Sequence, residues 1–175
     1  DLPPGRTLKI LEIGAGTGGT TARLLPRLPA DRTEYVFTDI SQVFMHEAAT
    51  KFREFPFVRY AALDIESPIA DQGFAPGQFD FIVASNVLHA TRDLRQSLAH
   101  VRQLLAPQGA LVLLEGTRPQ RWLDLIFGLT EGWWRFAEDG VREKHPLISA
   151  GMWRRLLDEQ GFHDFVALPG EVNDG

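Results

Sequence analysis

Leu8-Lys9-Ile10-Leu11-Glu12-Ile13-Gly14-Ala15-Gly16-Thr17-Gly18-Gly19 is the stretch that decides the fold. A short apolar run stopped by glycines is the pattern of a strand buried on both faces of a parallel sheet. The residues after it, Gly18 to about Leu25, read as a helix that Pro26 and Pro29 bring to an end. Gly14, Gly16 and Gly19 match G-x-G-x-x-G between strand and helix. Glycine permits the tight turn and lets a ligand approach the backbone, while the helix start offers free N–H groups and a partial positive charge.

Outward from this stretch, strand and helix patterns alternate. Glu34–Thr38, Phe57–Leu63, Phe79–Ala84 and Ala110–Leu114 read as further strands. Ser41 is a candidate cap for a helix reaching Lys51. Asp93 and Gln96 form a capping-box-like start to a helix whose apolar face is Leu94, Leu98, Val101 and Leu105. Pro107-Gln108-Gly109 reads as a turn, Pro119 to about Phe136 as an aromatic-rich helix, and Ser149 to Gly161 as a capped helix. Phe162–Leu168 resembles a sixth strand. The order predicts an α/β, doubly wound, Rossmann-like sheet, mostly parallel, with helices on both faces. In such sheets ligands bind beyond the carboxyl ends of the strands, so the residues just after each strand are the ones to read.

The length of 175 residues suits a single domain spanning 1–175. The ends at Asp1–Gly5 and Glu171–Gly175 read as linker, as in a piece cut from a longer multidomain chain. A formal net charge of −5 with scattered arginines argues against nucleic acid as a partner. The absence of cysteine excludes disulfides and zinc–thiolate sites and fits a reducing, cytoplasmic setting. No apolar run approaches the roughly 20 residues of a membrane span, and no His/Asp/Glu set has metal-ligand spacing, so no membrane and no metal are expected.

The glycine loop by itself leaves two nucleotide-bearing cofactors open, NAD(P) and S-adenosylmethionine. Glu12, two residues before Gly14, extends the motif to E-x-G-x-G-x-G through Gly18 and favours the second. Glu12, Gly14, Ala15, Gly16, Thr17, Gly18 and Gly19 would then cradle the cofactor. Asp39, at the end of the second strand, could take the ribose hydroxyls, as it could for NAD. Asp64 could accept the adenine amine, with Ile40 and Ile65 on either side of the ring, and Asn86, Val87 and Leu88 would lie beside the methionine portion. A dehydrogenase would want a Tyr-x-x-x-Lys or comparable set, but Tyr35 and Tyr60, the only tyrosines, both fall inside strand patterns.

Ala84-Ser85-Asn86-Val87-Leu88-His89-Ala90-Thr91, Leu113-Leu114-Glu115 and Phe127-Gly128-Leu129-Thr130-Glu131-Gly132-Trp133-Trp134-Arg135-Phe136 resemble the C-methyltransferase domains of modular polyketide synthases. His145-Pro146-Leu147-Ile148-Ser149 and Trp153-Arg154-Arg155-Leu156-Leu157 are similar to that family too. The resemblance runs from about Leu8 to Gly170. It implies the class I methyltransferase sheet, S-adenosylmethionine as cofactor, and a catalytic His–Glu pair matching His89 and Glu115. It also implies α-carbon methylation of a β-ketoacyl chain on the phosphopantetheine arm of an acyl carrier protein, beside other synthase domains. The family's N-terminal lid subdomain is expected to be absent here, since Asp1 lies only a few residues before the first strand.

The residue chemistry is compatible with this. An α-carbon between two carbonyls is acidic, a neutral imidazole can take its proton, and a glutamate on the second ring nitrogen fixes the tautomer. The same pair could deprotonate oxygen, so O-methylation stays open, as does an inactive structural domain. Among the aromatics, Phe127, Trp133 and Trp134 are candidates to line an apolar acyl site, because consecutive tryptophans cannot both face one core side. His145 could stand at its entrance, whereas His46, His100 and His163 read as structural. Arg118, Arg121 and Arg135 read first as solvated side chains.

Overall fold

The computed structural model describes residues 5–137 and 140–168; the expected terminal linkers Asp1–Pro4 and Glu171–Gly175 lie outside them. The chain divides into two compact units, Asp1–Ser85 with Gln103–Leu114, and Asn86–Arg102 with Glu115–Gly175.

The first unit carries the sheet. Its strands are β1 (Leu8–Ile13), β2 (Thr33–Asp39), β3 (Val58–Ala62), β4 (Phe79–Ser85) and β5 (Leu105–Leu114). All neighbours are parallel, in the order β3-β2-β1-β4-β5. The order reverses direction between β1 and β4, where Ile13 stands opposite Ala84. This is the switch point of a doubly wound sheet, and the glycine loop leaves the sheet there. The expected Rossmann-like parallel sheet is therefore present. Helices α1 (Gly19–Leu24) and α2 (Gln42–Lys51) follow the first two strands. One core cluster joins Leu8 and Ile10 of β1, Tyr35 and Phe37 of β2 and Val83 of β4 to Ala48, Phe52 and Val58. Ser41 precedes α2 as expected, but its hydroxyl makes no cap bond; its N–H instead donates to Asp39 Oδ1 at 2.9 Å.

Helix α3 (Leu94–Leu104) buries Leu94, Leu98, Val101 and Leu104. Its start is capped as predicted, Gln96 N donating to Asp93 Oδ1 at 3.0 Å. In the second unit α4 (Arg121–Phe127) and α5 (Ala150–Glu159) are the remaining α-helices among the described residues. Ser149 caps α5 by accepting from Met152 N at 3.2 Å, and Gly161 just beyond it is left-handed at φ 77°.

Three expectations about elements need correction. Pro107-Gln108-Gly109 is not a turn before the fifth strand. β5 already pairs at Leu105 opposite Phe79 and then bulges, with Gln108 at φ 63°, before resuming at Ala110 opposite Phe81. The aromatic segment is not one helix: α4 stops at Phe127 and a 3-10 turn follows at Glu131–Trp134, because Gly128 and Gly132 weaken the run. Phe162–Leu168 forms no strand. Asp164 at φ 59° breaks the extended run, and Val166 and Leu168 stay exposed. Among the described residues β5 is therefore an open edge, with Val112 and Leu114 exposed on it.

Candidate active site

In the first unit the glycine loop is built by backbone conformation. Gly14, Gly16 and Gly18 take φ of 57°, 53° and 71°, the left-handed region where a side chain is strained. Ala15 N donates to Thr38 O and Gly16 N to Asp39 Oδ2, each at 2.9 Å, tying the loop to the end of β2. Lys51 Nζ closes the far side on Thr17 O at 2.9 Å. A Cβ on Gly18 would fall 2.7 Å from the Phe52 ring, whereas one on Gly19 would meet nothing within 4 Å. The third glycine that the turn requires is thus Gly18, and the E-x-G-x-G-x-G spacing describes the loop better than G-x-G-x-x-G.

Glu12 is buried, and its Oε2 accepts from Thr21 Oγ1 at 2.5 Å and from Tyr35 Oη at 2.6 Å. Burial pushes its carboxyl up, against the hydrogen bonds, which pull it down. Burial, together with the Glu12 carboxylate, pushes the Tyr35 hydroxyl up as well. These contacts pin the root of the loop from inside the sheet. Asp39 is buried too, its two oxygens held by Gly16 N and Ser41 N. Ile40 beside it is 76% exposed, while Ile65 is 5% exposed. The Asp64 carboxylate closes its own turn, accepting from Glu66 N at 2.9 Å and Ser67 Oγ at 2.8 Å.

In the second unit His89 and Glu115 meet. His89 Nδ1 lies 2.6 Å from Glu115 Oε2, and Glu115 Oε1 accepts from Val87 N at 3.1 Å and Leu88 N at 2.8 Å. The carboxylate therefore holds both the imidazole and the start of the 3-10 turn Leu88–Ala90 that carries it. Both side chains are nearly buried. Asn86, exposed at the head of this segment, is left-handed at φ 53°, a conformation asparagine tolerates better than most residues. A carboxylate only accepts, so a neutral imidazole paired with it carries its proton on Nδ1 and has its lone pair at Nε2. Among the described residues nothing bonds Nε2.

The aromatic prediction separates as the spacing required. Trp133 is buried at 6% exposure and Trp134 is 47% exposed. Trp133 meets the His89 ring edge-on at 5.4 Å between centroids and stacks on Phe127 at 5.5 Å. Its Nε1 donates to Asp124 Oδ1 at 3.1 Å, and His145 Nε2 binds the same oxygen at 3.0 Å. His145 Nδ1 accepts from Leu147 N at 3.0 Å, which fixes its proton on Nε2. His145 thus braces Trp133 through Asp124, a network the sequence did not announce. Arg142, also unforeseen, is buried and donates to the backbone carbonyls of His89, Thr91 and Arg92.

With this geometry in view, comparison with known proteins is specific. A family model described as a methyltransferase domain matches residues 11–111. The non-reducing polyketide synthase mapC of Penicillium roqueforti is 48% identical over 166 residues, 92% of this chain and 6% of the synthase. The solved CurJ carbon methyltransferase superposes with a TM-score of 0.95 and 51% identity, over 99% of this chain and 46% of that one. The trans-methyltransferase CalH, solved in complex with SAH, gives 0.82 and 44%, over 89% of this chain and 44% of that one. The chain belongs to the methyltransferase-domain family. Within that family it is similar over most of its length to carbon methyltransferases and polyketide synthases, as the Ala84–Thr91 and Phe127–Phe136 stretches implied. It spans a small fraction of the synthases it matches and under half of the CurJ chain.

Proposed function

We propose that the chain moves a methyl group from S-adenosylmethionine to the α-carbon of a β-ketoacyl thioester held on an acyl carrier protein, its two units serving one reaction as a single methyltransferase core. The observation that carries this reading is the 2.6 Å contact between His89 Nδ1 and Glu115 Oε2. It leaves Nε2 free to accept the α-proton, and the buried carboxylate favours the imidazolium that results. General-base catalysis of this kind contributes about 10²- to 10⁴-fold.

The residues present fit the methyl donor. Gly14 and Gly16 present partly exposed backbone without Cβ atoms, Gly18 lets the loop turn against Phe52, Asp39 ends β2 with a carboxylate, and Ile40 offers an exposed apolar face. These residues would hold it together with Glu12, Ala15, Thr17 and Gly19, which shape the loop, and Asp64, Ile65, Asn86, Val87 and Leu88. When bound, the sulfonium supplies an electrophilic methyl group. Trp133, backed by Phe127 and packed against the imidazole, would wall the acyl chain, and the exposed Trp134 would extend that surface. The names of its relatives, among them a carbon methyltransferase and a polyketide synthase, support the acceptor class.

The test is to incubate a β-ketoacyl carrier protein with S-adenosylmethionine and the chain, and to follow the acyl group by mass spectrometry and NMR. The expected product gains one methyl on the α-carbon. His89→Ala should lower the rate about 10²- to 10⁴-fold while calorimetry finds unchanged cofactor affinity. A methyl on oxygen would refute the acceptor, and a near wild-type rate for the variant would refute the base.

A further inference from the structure

The segment carrying His89 is gripped at both ends. At its amino end the Glu115 carboxylate takes the N–H groups of Val87 and Leu88. At its carboxyl end the Arg142 guanidinium donates to the carbonyls of His89 at 3.2 Å, Thr91 at 2.6 Å and Arg92 at 2.7 Å. An anion on the leading N–H groups and a cation on the trailing carbonyls, where Arg92 O also accepts from Ala137 N at 2.9 Å, match the polarity of a helical turn at each end. Arg142 is 2% exposed, and its guanidinium lies 5.5 Å from the centre of the Phe136 ring. Within the segment, Ala90 N donates to Val87 O at 3.0 Å, Thr91 N to Leu88 O at 3.0 Å and Thr91 Oγ1 to Leu88 O at 2.8 Å.

We infer that Arg142 is a positioning residue for the reaction, which fixes the backbone of the His89 turn so that the imidazole stays on Glu115 with Nε2 presented to the acceptor. The inference rests on the reading of His89 as the base. A planar guanidinium fork suits this role because it spreads several donors over neighbouring carbonyls in one fixed arrangement, which an ammonium cannot do. Burying a cation is costly unless its donors are met, and three of this guanidinium's bonds go to carbonyls of a single turn, which ties the backbone of that turn to Arg142. A displacement of about 1 Å at a reacting group costs on the order of 10²-fold in rate.

The experiment compares wild type with Arg142→Lys and Arg142→Met. The readouts are kcat and KM for the carrier-bound acceptor, cofactor affinity by calorimetry, and the proton NMR signal of the His89 Nδ1–H held by Glu115, assigned by its loss in His89→Ala. The expected result is a kcat lower by about 10²-fold in Arg142→Met and by less in Arg142→Lys. KM and cofactor affinity should hold within a few-fold, and the Nδ1–H signal should shift or broaden in both variants. Should Arg142→Met fail to fold, Arg142→Lys carries the test alone. An unmoved Nδ1–H signal, or a kcat that falls only with the folded fraction, overturns the positioning role. That outcome is distinct from failure of the base assignment, which would show as an active His89→Ala variant.

Discussion

The glycine loop of the first unit and the His89 turn of the second are both short irregular segments following a strand, yet they are held in opposite ways. The loop owes its shape to its own residues: three left-handed glycines, plus bonds to the end of the neighbouring strand at Thr38 and Asp39. The His89 turn owes its shape to distant side chains. Glu115 is 26 residues from His89, Arg142 is 53 residues away, and Trp133 packs on the ring from the aromatic segment. A locally encoded loop suits a cofactor recognised through the backbone. A turn clamped from afar suits a side chain whose orientation has to be maintained during proton transfer.

The sharpest way to break this contrast is Glu115→Gln. Glutamine can still accept from Val87 and Leu88, but its amide then faces His89 Nδ1 with a donor. The imidazole must turn Nδ1 into an acceptor and carry its proton on Nε2, where it cannot act as a base. Methylation is expected to fall about 10²-fold or more, with cofactor affinity preserved; methylation rates and calorimetry check it. A milder effect should come from the loop. Gly18→Ala sets a Cβ into the Phe52 ring at φ 71° and should cost about 1–3 kcal/mol of stability along with cofactor affinity. Gly19→Ala enters open space and should leave stability unchanged or raise it by up to about 1 kcal/mol. Urea unfolding of the two variants reads the difference directly, and equal losses would contradict the assignment of Gly18.

The smallest effect concerns Glu12, whose raised carboxyl has a defined sign. Its contribution to stability is fully present below the ordinary glutamate range and is lost as pH rises through its higher folded value. Glu12→Gln keeps an acceptor for Thr21 and Tyr35 without ionising. Its stability relative to wild type should therefore rise between acid and neutral pH, by about 1 kcal/mol or less. Denaturant melts at the two pH values measure it, and a constant difference would mean that the carboxyl does not titrate over that range.

Much of the fold was legible because periodicity is a local property. Short apolar runs marked β1 to β4, the first of them ended by glycines, and Asp93 and Ser149 announced their helices. The bulge in β5 was not legible, since it depends on which residues of β4 it faces. Nor was the failure of Phe162–Leu168 to form a strand, since strand patterning does not reveal whether a partner edge is at hand. At the site, His89 and Glu115 were singled out by the family resemblance, with side-chain chemistry compatible with it. Arg142 was not, because it lies in a loop without period and acts on backbone carbonyls, which are the same in every sequence.

Sequence by itself determined the parallel sheet and the glycine loop and offered His89 and Glu115 as a candidate pair, because strand burial, left-handed turns and side-chain chemistry are written residue by residue. Tertiary structure alone decided that Gly18 rather than Gly19 is the constrained glycine, that Trp133 rather than Trp134 packs on the imidazole, and that Arg142 and Glu115 clamp the turn between them. Each of those outcomes depends on which distant groups come within a few ångströms of one another, and that is fixed only when the chain has folded.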